Sequence, residues 1–443
     1  MIAAWCLYWI LAAFFVLACA AAVLPCLFAL PALRRLEQGR MLAALPQIHA
    51  GLEPPVSVVL TARDDAPGVD APRIAAAVHA LLALHYPLFE ILVVDDGSSD
   101  DTMQVLTDAF ALHPFPEAYR VRLPLRQPVT RIYRSTRHPN LRVIGKQAGG
   151  RADALNAAVN AARYPLVFSL ACGTVPYIDS LHDLVLPFLA NTGTVASVGL
   201  LDTTSDGARG VATPGIDALR AERFAPLGWS ALDAMLVAPP GIQLLRKDAV
   251  VAAGGYCPAA ACADADMLLR LHHAACDAAG PYRIAFTGEA AGHGGKDDER
   301  SPKRRCMRRQ QVLVDGLARH MALLWGRRVP PKTRLAFLLL LVFDGAGPAI
   351  ETAAWALLAV AALTGLLPLS ACAAFLVLAV GLGMLQSTFA LLLDAISPRG
   401  ASRPGRLHAL LRAAVTENLG PRQVRTYWRT LGLAAWLRQR GQM

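Results

Sequence analysis

Charge is scarce in this chain. Acidic and basic residues make up 17% of its 443 positions, against about a quarter in an ordinary soluble domain. Internal repeats and low-complexity segments are missing as well, and 55% of the residues are hydrophobic. Those absences exclude intrinsic disorder and argue against a purely soluble enzyme. The nine cysteines form no CxxC pair and follow no regular spacing. Cys6, Cys19, Cys26 and Cys372 lie in apolar runs, and Cys257, Cys262, Cys276 and Cys306 read as reduced thiols. Neither a disulfide framework nor a structural zinc site is expected.

Two stretches hold no charged side chain at all: Met1 to Leu33, and the 42 residues from Thr352 to Leu393. A helix needs about 20 apolar residues to cross a bilayer. The first stretch therefore reads as one anchor over 1–34. The second reads as a two-helix hairpin over 350–393, turning at Leu367-Pro368-Leu369-Ser370. No basic residue precedes the first run, as one would in a signal peptide. Arg34, Arg35 and Arg40 follow it instead, which predicts an outer N-terminus and a cytoplasmic domain over 50–330. Leu335–Phe343 has nine apolar residues, too few to cross, so 335–349 is expected to be an interfacial helix, with Asp344 and Glu351 on one face. From Arg399 onward, nine Arg stand against one acid, Glu417. Tyr427, Trp428 and Trp436 are mixed among them, so 397–443 reads as a basic amphipathic tail on anionic lipid rather than a nucleic-acid binder.

Between the apolar runs, strand and helix signals alternate. Val56–Leu60, Ile91–Val94, Leu141–Ile144 and Leu166–Leu170 read as strands, and Ala75–Ala83 and Ala152–Ala162 as helices. The alternation predicts an α/β domain with a mostly parallel sheet. Ligands of such sheets bind beyond the carboxyl ends of the strands, so the polar residues there are the candidates. Asp95-Asp96-Gly97-Ser98-Ser99-Asp100-Asp101-Thr102 follows one strand. Its carboxylates suit a base or ribose, although turns and helix caps favour the same residues. Lys146-Gln147-Ala148-Gly149-Gly150-Arg151 follows another and opens a helix. Two glycines, two cations and helix N-terminal amides suit a diphosphate, and an ordinary loop with a cap is the alternative. His272-His273 lack the spacing of a metal pair and read as surface or packing residues. His293 lies in a Gly-rich stretch read as a loop.

Taken in order, six segments resemble glycosyltransferase family 2, in its membrane-embedded branch with the cellulose and poly-N-acetylglucosamine synthases. They are PPVSVVLTARDD, YPLFEILVVDDGSSDDT, KQAGGRADALNAAVNAARYP, LLRKDAVVAAGGY, DADMLLRLH and ENLGPRQVRTYWR. The resemblance implies a GT-A fold and a UDP-sugar donor. It places Thr61, Asp65, Asp95, Asp96, Lys146, Gly149, Gly150 and Arg151 around the nucleotide and Asp264 as the catalytic base. It also implies a bacterial-type inner-membrane location and a glycan or lipid-linked acceptor, with no nucleic-acid partner.

Three motifs depart from the family pattern. Its Asp-x-Asp, which binds Mg²⁺ or Mn²⁺ on the diphosphate, is replaced by Ala171-Cys172-Gly173, so the expected metal lacks its ligands. The Glu-Asp of the catalytic motif is Ala263-Asp264, which keeps the base and loses its acidic neighbour. The Gln-x-x-Arg-Trp helix reads Arg309-Gln310-Gln311-Val312-Leu313, which leaves Arg308, Arg309 and Gln310 as the groups for diphosphate and acceptor. Two functions fit this pattern: an inner-membrane transferase with Asp264 as base, or a degenerate transferase serving as a binding or scaffold subunit of a polysaccharide synthase. Asp153 and Asp179 are the remaining acids that a displaced metal would need.

Overall fold

Where β-branched runs alternate with Ala-rich amphipathic ones, the chain alternates strands and helices. The computed structural model describes residues 2–43, 51–62, 71–170, 173–202, 216–239, 242–278, 280–294, 301–397 and 406–441. The chain divides into two units. One comprises Arg40–Arg209 and Met235–Arg300, and the other Met1–Gly39, Gly210–Ala234 and Ser301–Met443.

The first unit is built on one sheet. Its strands are β1 (Val56–Ala62), β2 (Phe89–Asp95), β3 (Leu112–Pro114), β4 (Val129–Ser135), β5 (Leu141–Lys146), β6 (Leu166–Leu170), β7 (Thr174–Pro176), β8 (Thr194–Asp202), β9 (Ile242–Arg246) and β10 (Arg283–Gly294). Their order is β3-β4-β5-β2-β1-β6-β9-β8-β10-β7. The four strands read from the sequence, β5-β2-β1-β6, lie side by side and are all parallel. The flanks are mostly antiparallel, with β3, β4, β7 and β9 running against their neighbours. The sheet is therefore mixed rather than mostly parallel. The central strands are buried along almost their whole length, which is why they read as unbroken apolar runs. Val58, Leu60, Ile91, Val93, Val143 and Phe168 anchor the core from them.

Register brings the carboxyl ends of the four strands to one edge. Ala62 faces Asp95, Asp95 faces Gly145, and Leu60 faces Leu170. The helix Arg151–Ala161 leaves that edge and is buried on almost every side, which its alanines allow. Its two asparagines are held by backbone. Asn156 exchanges hydrogen bonds with Tyr256 N and O at 2.8 and 2.9 Å, and Asn160 bonds Leu123 N and O at 2.9 Å. Each buried amide thereby keeps its partners.

The second unit is helical. Among the described residues, three helices are long and apolar enough to cross a membrane: Ile2–Arg35, Pro331–Thr364 and Leu369–Ile396. They meet around Phe375, whose ring is approached edge-on by Tyr8, Phe15 and Trp355. The boundary drawn near residue 350 is not a helix end. Pro331–Leu339, a π-helical stretch Leu340–Ala346 and Gly347–Thr364 form one continuous run, so 335–349 is part of a long helix rather than a separate short one. A polar cluster supports that stretch. Gln310 donates to the carbonyls of Asp344 and Gly345 at 2.8 and 3.0 Å, and Arg429 donates to Asp344 O at 2.9 Å and to Gln310 Oε1 at 2.8 Å. The expected 50–330 domain is also shorter than drawn. Residues 210–234 and 301–330 belong to the helical unit, where Arg223 pairs with Asp394 at 3.3 Å and Gly432 packs against the Met307 backbone.

Candidate active site

The loop after β2 and the loop after β5 close on each other. Gly97 adopts φ +75°, and a Cβ there would stand 2.7 Å from Ala148 N, so only glycine permits the approach. Asp96 is held inside this junction. Its carboxylate accepts from Lys146 Nζ at 2.8 Å, Gly149 N at 2.9 Å and Gly150 N at 2.7 Å. Lys146 also pairs with Asp153 at 2.8 Å, and Asp153 accepts the amides of Arg126 and Gln127 at 2.7 and 3.2 Å. The Lys146 side chain has no exposure, and those of Asp96 and Asp153 have 2% and 1%. This differs from the expectation that Lys146, Gly149 and Gly150 face a diphosphate. Their charge and amides turn inward onto Asp96, and the glycines serve that turn. Asp153 is likewise committed and has no open face for a displaced metal.

Asp95 ends β2 beside this junction. Its Oδ1 accepts Ser98 N at 3.1 Å, and burial raises its carboxyl above its ordinary value against the pull of Ser98. Asp65 and the side chains of Ala171 and Cys172 lie outside the described residues.

Arg151, one residue past the glycines, points along the strand ends instead. Its Nη1 donates to Thr61 Oγ1 at 2.6 Å, its Nη2 to Leu170 O at 2.9 Å, and its Nε to Asp264 Oδ2 at 3.1 Å. Nη2 also lies 2.9 Å from the same carboxylate oxygen. Thus one guanidinium bridges the ends of β1 and β6 to the start of the helix Ala263–Asp277. The other Asp264 oxygen accepts from Ser169 at 3.3 Å, and Gln243 donates to the Asp264 carbonyl at 3.2 Å. Side-chain exposure is 30% for Arg151 and 12% for Asp264. Burial alone would lower the guanidinium, and the Asp264 carboxylate outweighs it, holding Arg151 above its ordinary value. Burial, then the Asp264 charge, raises the neighbouring Tyr256 phenol and Cys262 thiol.

The structure therefore brings together Thr61, Arg151 and Asp264, and separately Asp95, Asp96, Lys146, Gly149 and Gly150. Arg308, Arg309 and Gln310 belong to the helical unit. There Arg309 pairs with Glu222 at 2.6 Å and Gln310 is the buried donor already described. Ser169 and Tyr256 were not singled out in the sequence. Ser169 is the second-last residue of β6, and Tyr256 closes the GGY of a matching segment, so both had a signal. His272 is fully buried between Tyr282 Oη at 2.8 Å and Met235 O at 2.9 Å, a packing residue as expected. His293 lies on β10 beside the Tyr177 ring rather than in a loop.

A divalent metal fits this site poorly. Gly173 offers no side chain, and among the described residues no group of three His, Cys, Asp or Glu is placed to hold an ion. Asp179 is 68% exposed and pairs with His85 at 3.4 Å. The Asp264 carboxylate already neutralises Arg151.

Residues 57–213 match the model of glycosyl transferase family 2. No curated protein matches the chain by sequence. Among solved structures, the mannosyltransferase PcManGT from Pyrobaculum calidifontis, in complex with GDP-Man and Mn²⁺, is similar at TM-score 0.53 and 18% identity, over 92% of this chain and 99% of that one. Glucosyl-3-phosphoglycerate synthase from Mycobacterium tuberculosis is similar at TM-score 0.37 and 18% identity, over 62% and 81%. The fold of the sheet unit is GT-A.

Proposed function

We propose that this chain is a membrane-anchored glycosyltransferase that takes a sugar from a nucleoside-diphosphate sugar at the ends of β1, β2 and β6. The observation that carries this reading is the position of Asp264. Its carboxylate accepts from Ser169 and pairs with Arg151, which also bonds Thr61, at the edge where an α/β sheet binds its ligand, inside a domain whose first half matches a glycosyltransferase family. In the reaction, an acceptor hydroxyl oxygen bonds to the anomeric carbon as the bond from that carbon to the phosphate oxygen breaks. The electron pair leaves with the nucleoside diphosphate, and the hydroxyl proton passes to Asp264. UDP-sugar is the donor favoured by the resemblance to the polysaccharide synthases, and a glycan or lipid-linked acceptor in envelope or exopolysaccharide synthesis goes with it. The three apolar helices support attachment to a bilayer. An inner-membrane location with the sheet unit in the cytoplasm follows from the arginines after the first span.

A second reading has its own observation. Both Asp264 oxygens are engaged, one by Arg151 and one by Ser169. A carboxylate in that state must part from the guanidinium before it takes a proton, and a chain in which it never does would serve as a scaffold subunit. The two readings separate in one assay. The full chain in lipid discs is given UDP- and GDP-sugars, and nucleoside diphosphate release is followed for wild type and Asp264→Asn. Release that the variant loses supports the transferase. Nucleotide binding without release in either protein supports the scaffold.

A further inference from the structure

The matched fold and the lost Asp-x-Asp leave one question of charge: what meets the diphosphate. We infer that Arg151, rather than a divalent cation, receives the donor's diphosphate, so that nucleotide binding in this chain does not require a metal. The inference rests on the nucleotide-sugar reading above and departs from what the family resemblance implies.

Geometry carries it. Leu170 is the last residue of β6, and the loop that follows it is where the resemblance places the metal ligands. The Arg151 guanidinium lies against that residue's carbonyl at 2.9 Å and against Thr61 Oγ1 at 2.6 Å, which puts it at the carboxyl ends of β1 and β6. The carboxylates that would hold a divalent ion are committed elsewhere. Asp96 and Asp153 are closed around Lys146, and Asp264 is paired with Arg151 itself. Of the two cations in the glycine segment, Lys146 has no side-chain exposure and Arg151 has 30%. A guanidinium is also suited to the task, since its planar fork binds phosphate through paired hydrogen bonds. Thr61 and the Leu170 carbonyl hold the guanidinium at the strand ends before a ligand arrives, and the donor's phosphate takes the edge of the fork that Asp264 occupies.

The test uses the full chain in detergent, with UDP and GDP as probes and calorimetry as the readout, first in excess EDTA and then with Mn²⁺ or Mg²⁺. For wild type, the dissociation constant in EDTA should match that with metal within about threefold. Arg151→Met should weaken binding by about ten- to a hundredfold, the range of a charge-assisted hydrogen-bonded contact. Arg151→Lys, which keeps the charge and loses the fork, should fall between. Thermal unfolding of each variant separates a lost contact from a lost fold. If Arg151→Met does not fold, the lysine variant and the metal comparison on wild type decide. Binding that appears only with Mn²⁺ or Mg²⁺ overturns the inference and leaves the nucleotide-sugar reading standing. Unchanged affinity in a folded Arg151→Met also overturns it. Folded wild-type protein that binds neither nucleotide in any condition overturns the nucleotide-sugar reading itself, and the inference with it.

Discussion

Replacing Lys146 with methionine distinguishes a structural cation from a ligand-binding one. The substitution keeps most of the apolar stem and removes the charge. Lys146 Nζ stands 2.8 Å from both Asp96 and Asp153, whose side chains are 2% and 1% exposed. Removing one partner of a buried pair costs ~3–5 kcal/mol, because the remaining charge has lost its compensation. Here two carboxylates are left, but each keeps two backbone amides: Gly149 and Gly150 on Asp96, and Arg126 and Gln127 on Asp153. Those amides hold the loss near the lower end, ~3 kcal/mol. Against a domain stability of ~5–15 kcal/mol that is a large fraction. At ~2–4 °C per kcal/mol for a domain of 150–250 residues, the melting temperature should fall by ~6–12 °C. Thermal unfolding of the full chain, followed by tryptophan fluorescence, measures it. Adding Asp153→Asn, which removes one stranded charge, should recover part of the loss. A Lys146→Met protein that melts within about 1 °C of wild type, while losing nucleotide affinity, would refute the cage and return Lys146 to the ligand.

Three further outcomes are expected. Asp264→Asn should lower sugar transfer by ~10²–10⁴-fold, the usual worth of a general base, while nucleotide affinity holds or tightens because Arg151 loses its competing carboxylate. A calorimetric titration beside the transfer assay checks both. Burial lowers His272 from 6.5 to about 4, so its neutral ring contributes stability that is full above pH 6.5 and is lost as pH falls towards 4. That loss amounts to ~3 kcal/mol, and a melting series across this window should flatten in His272→Phe. Gln310→Leu strips donors from the carbonyls of Asp344 and Gly345 and an acceptor from Arg429. It should cost ~1–3 kcal/mol for each buried group left unpaired. Unchanged thermal unfolding would show that the π-helical stretch holds without it.

The parallel centre of the sheet was legible because burial on both faces leaves unbroken apolar runs. Leu166–Leu170 matches β6 end to end, Ile91–Val94 falls inside β2, and the Ala152–Ala162 helix is shifted by one residue. The outer strands were not, since β4 has only two buried positions, Ile132 and Ser135, among exposed and half-buried ones, and β8 carries glycine and alanine. The site was half legible. A glycine pair flanked by cations marks a loop where the backbone makes a close approach, but it does not say to what. Asp96 lies 50 residues from Lys146, and only the sheet register shows that the loop closes on that carboxylate rather than on a ligand. Arg151 was read as one cation among four, and the structure distinguishes it by aiming it along the strand ends. The continuity of Pro331–Thr364 escaped because Asp344 interrupts the apolar run. Hydropathy does not show that Gln310 and Arg429, from other helices, satisfy the backbone around it.

The motif departures also bear on one another through charge. Two carboxylates in the loop after β6 and a third before Asp264 would be tolerable only around a divalent ion. Without it, each unit of like charge facing a phosphate about 4 Å away costs ~4 kcal/mol at the effective dielectric of a protein surface. A site that keeps those acids and loses the ion repels its donor. A site that commits Asp264 to an arginine has one carboxylate fewer to hold the ion. If Arg151 carries the diphosphate, then Gly173 and Ala263 are the residues such a site requires, because the remaining pair, Arg151 and Asp264, is neutral before the donor arrives. The departures then form one exchange of a metal for an arginine, and the donor's own negative charge is what draws the guanidinium from the base. On that account the engaged state of Asp264 is the resting state of a transferase. The scaffold reading has no comparable use for a pair placed at the ligand edge of the sheet, and it predicts that donor binding leaves the Arg151–Asp264 bond intact. Amide exchange at the first turn of the Ala263–Asp277 helix, with and without UDP, reads that difference. Faster exchange around Asp264 when UDP binds favours the transferase, and unchanged exchange favours the scaffold.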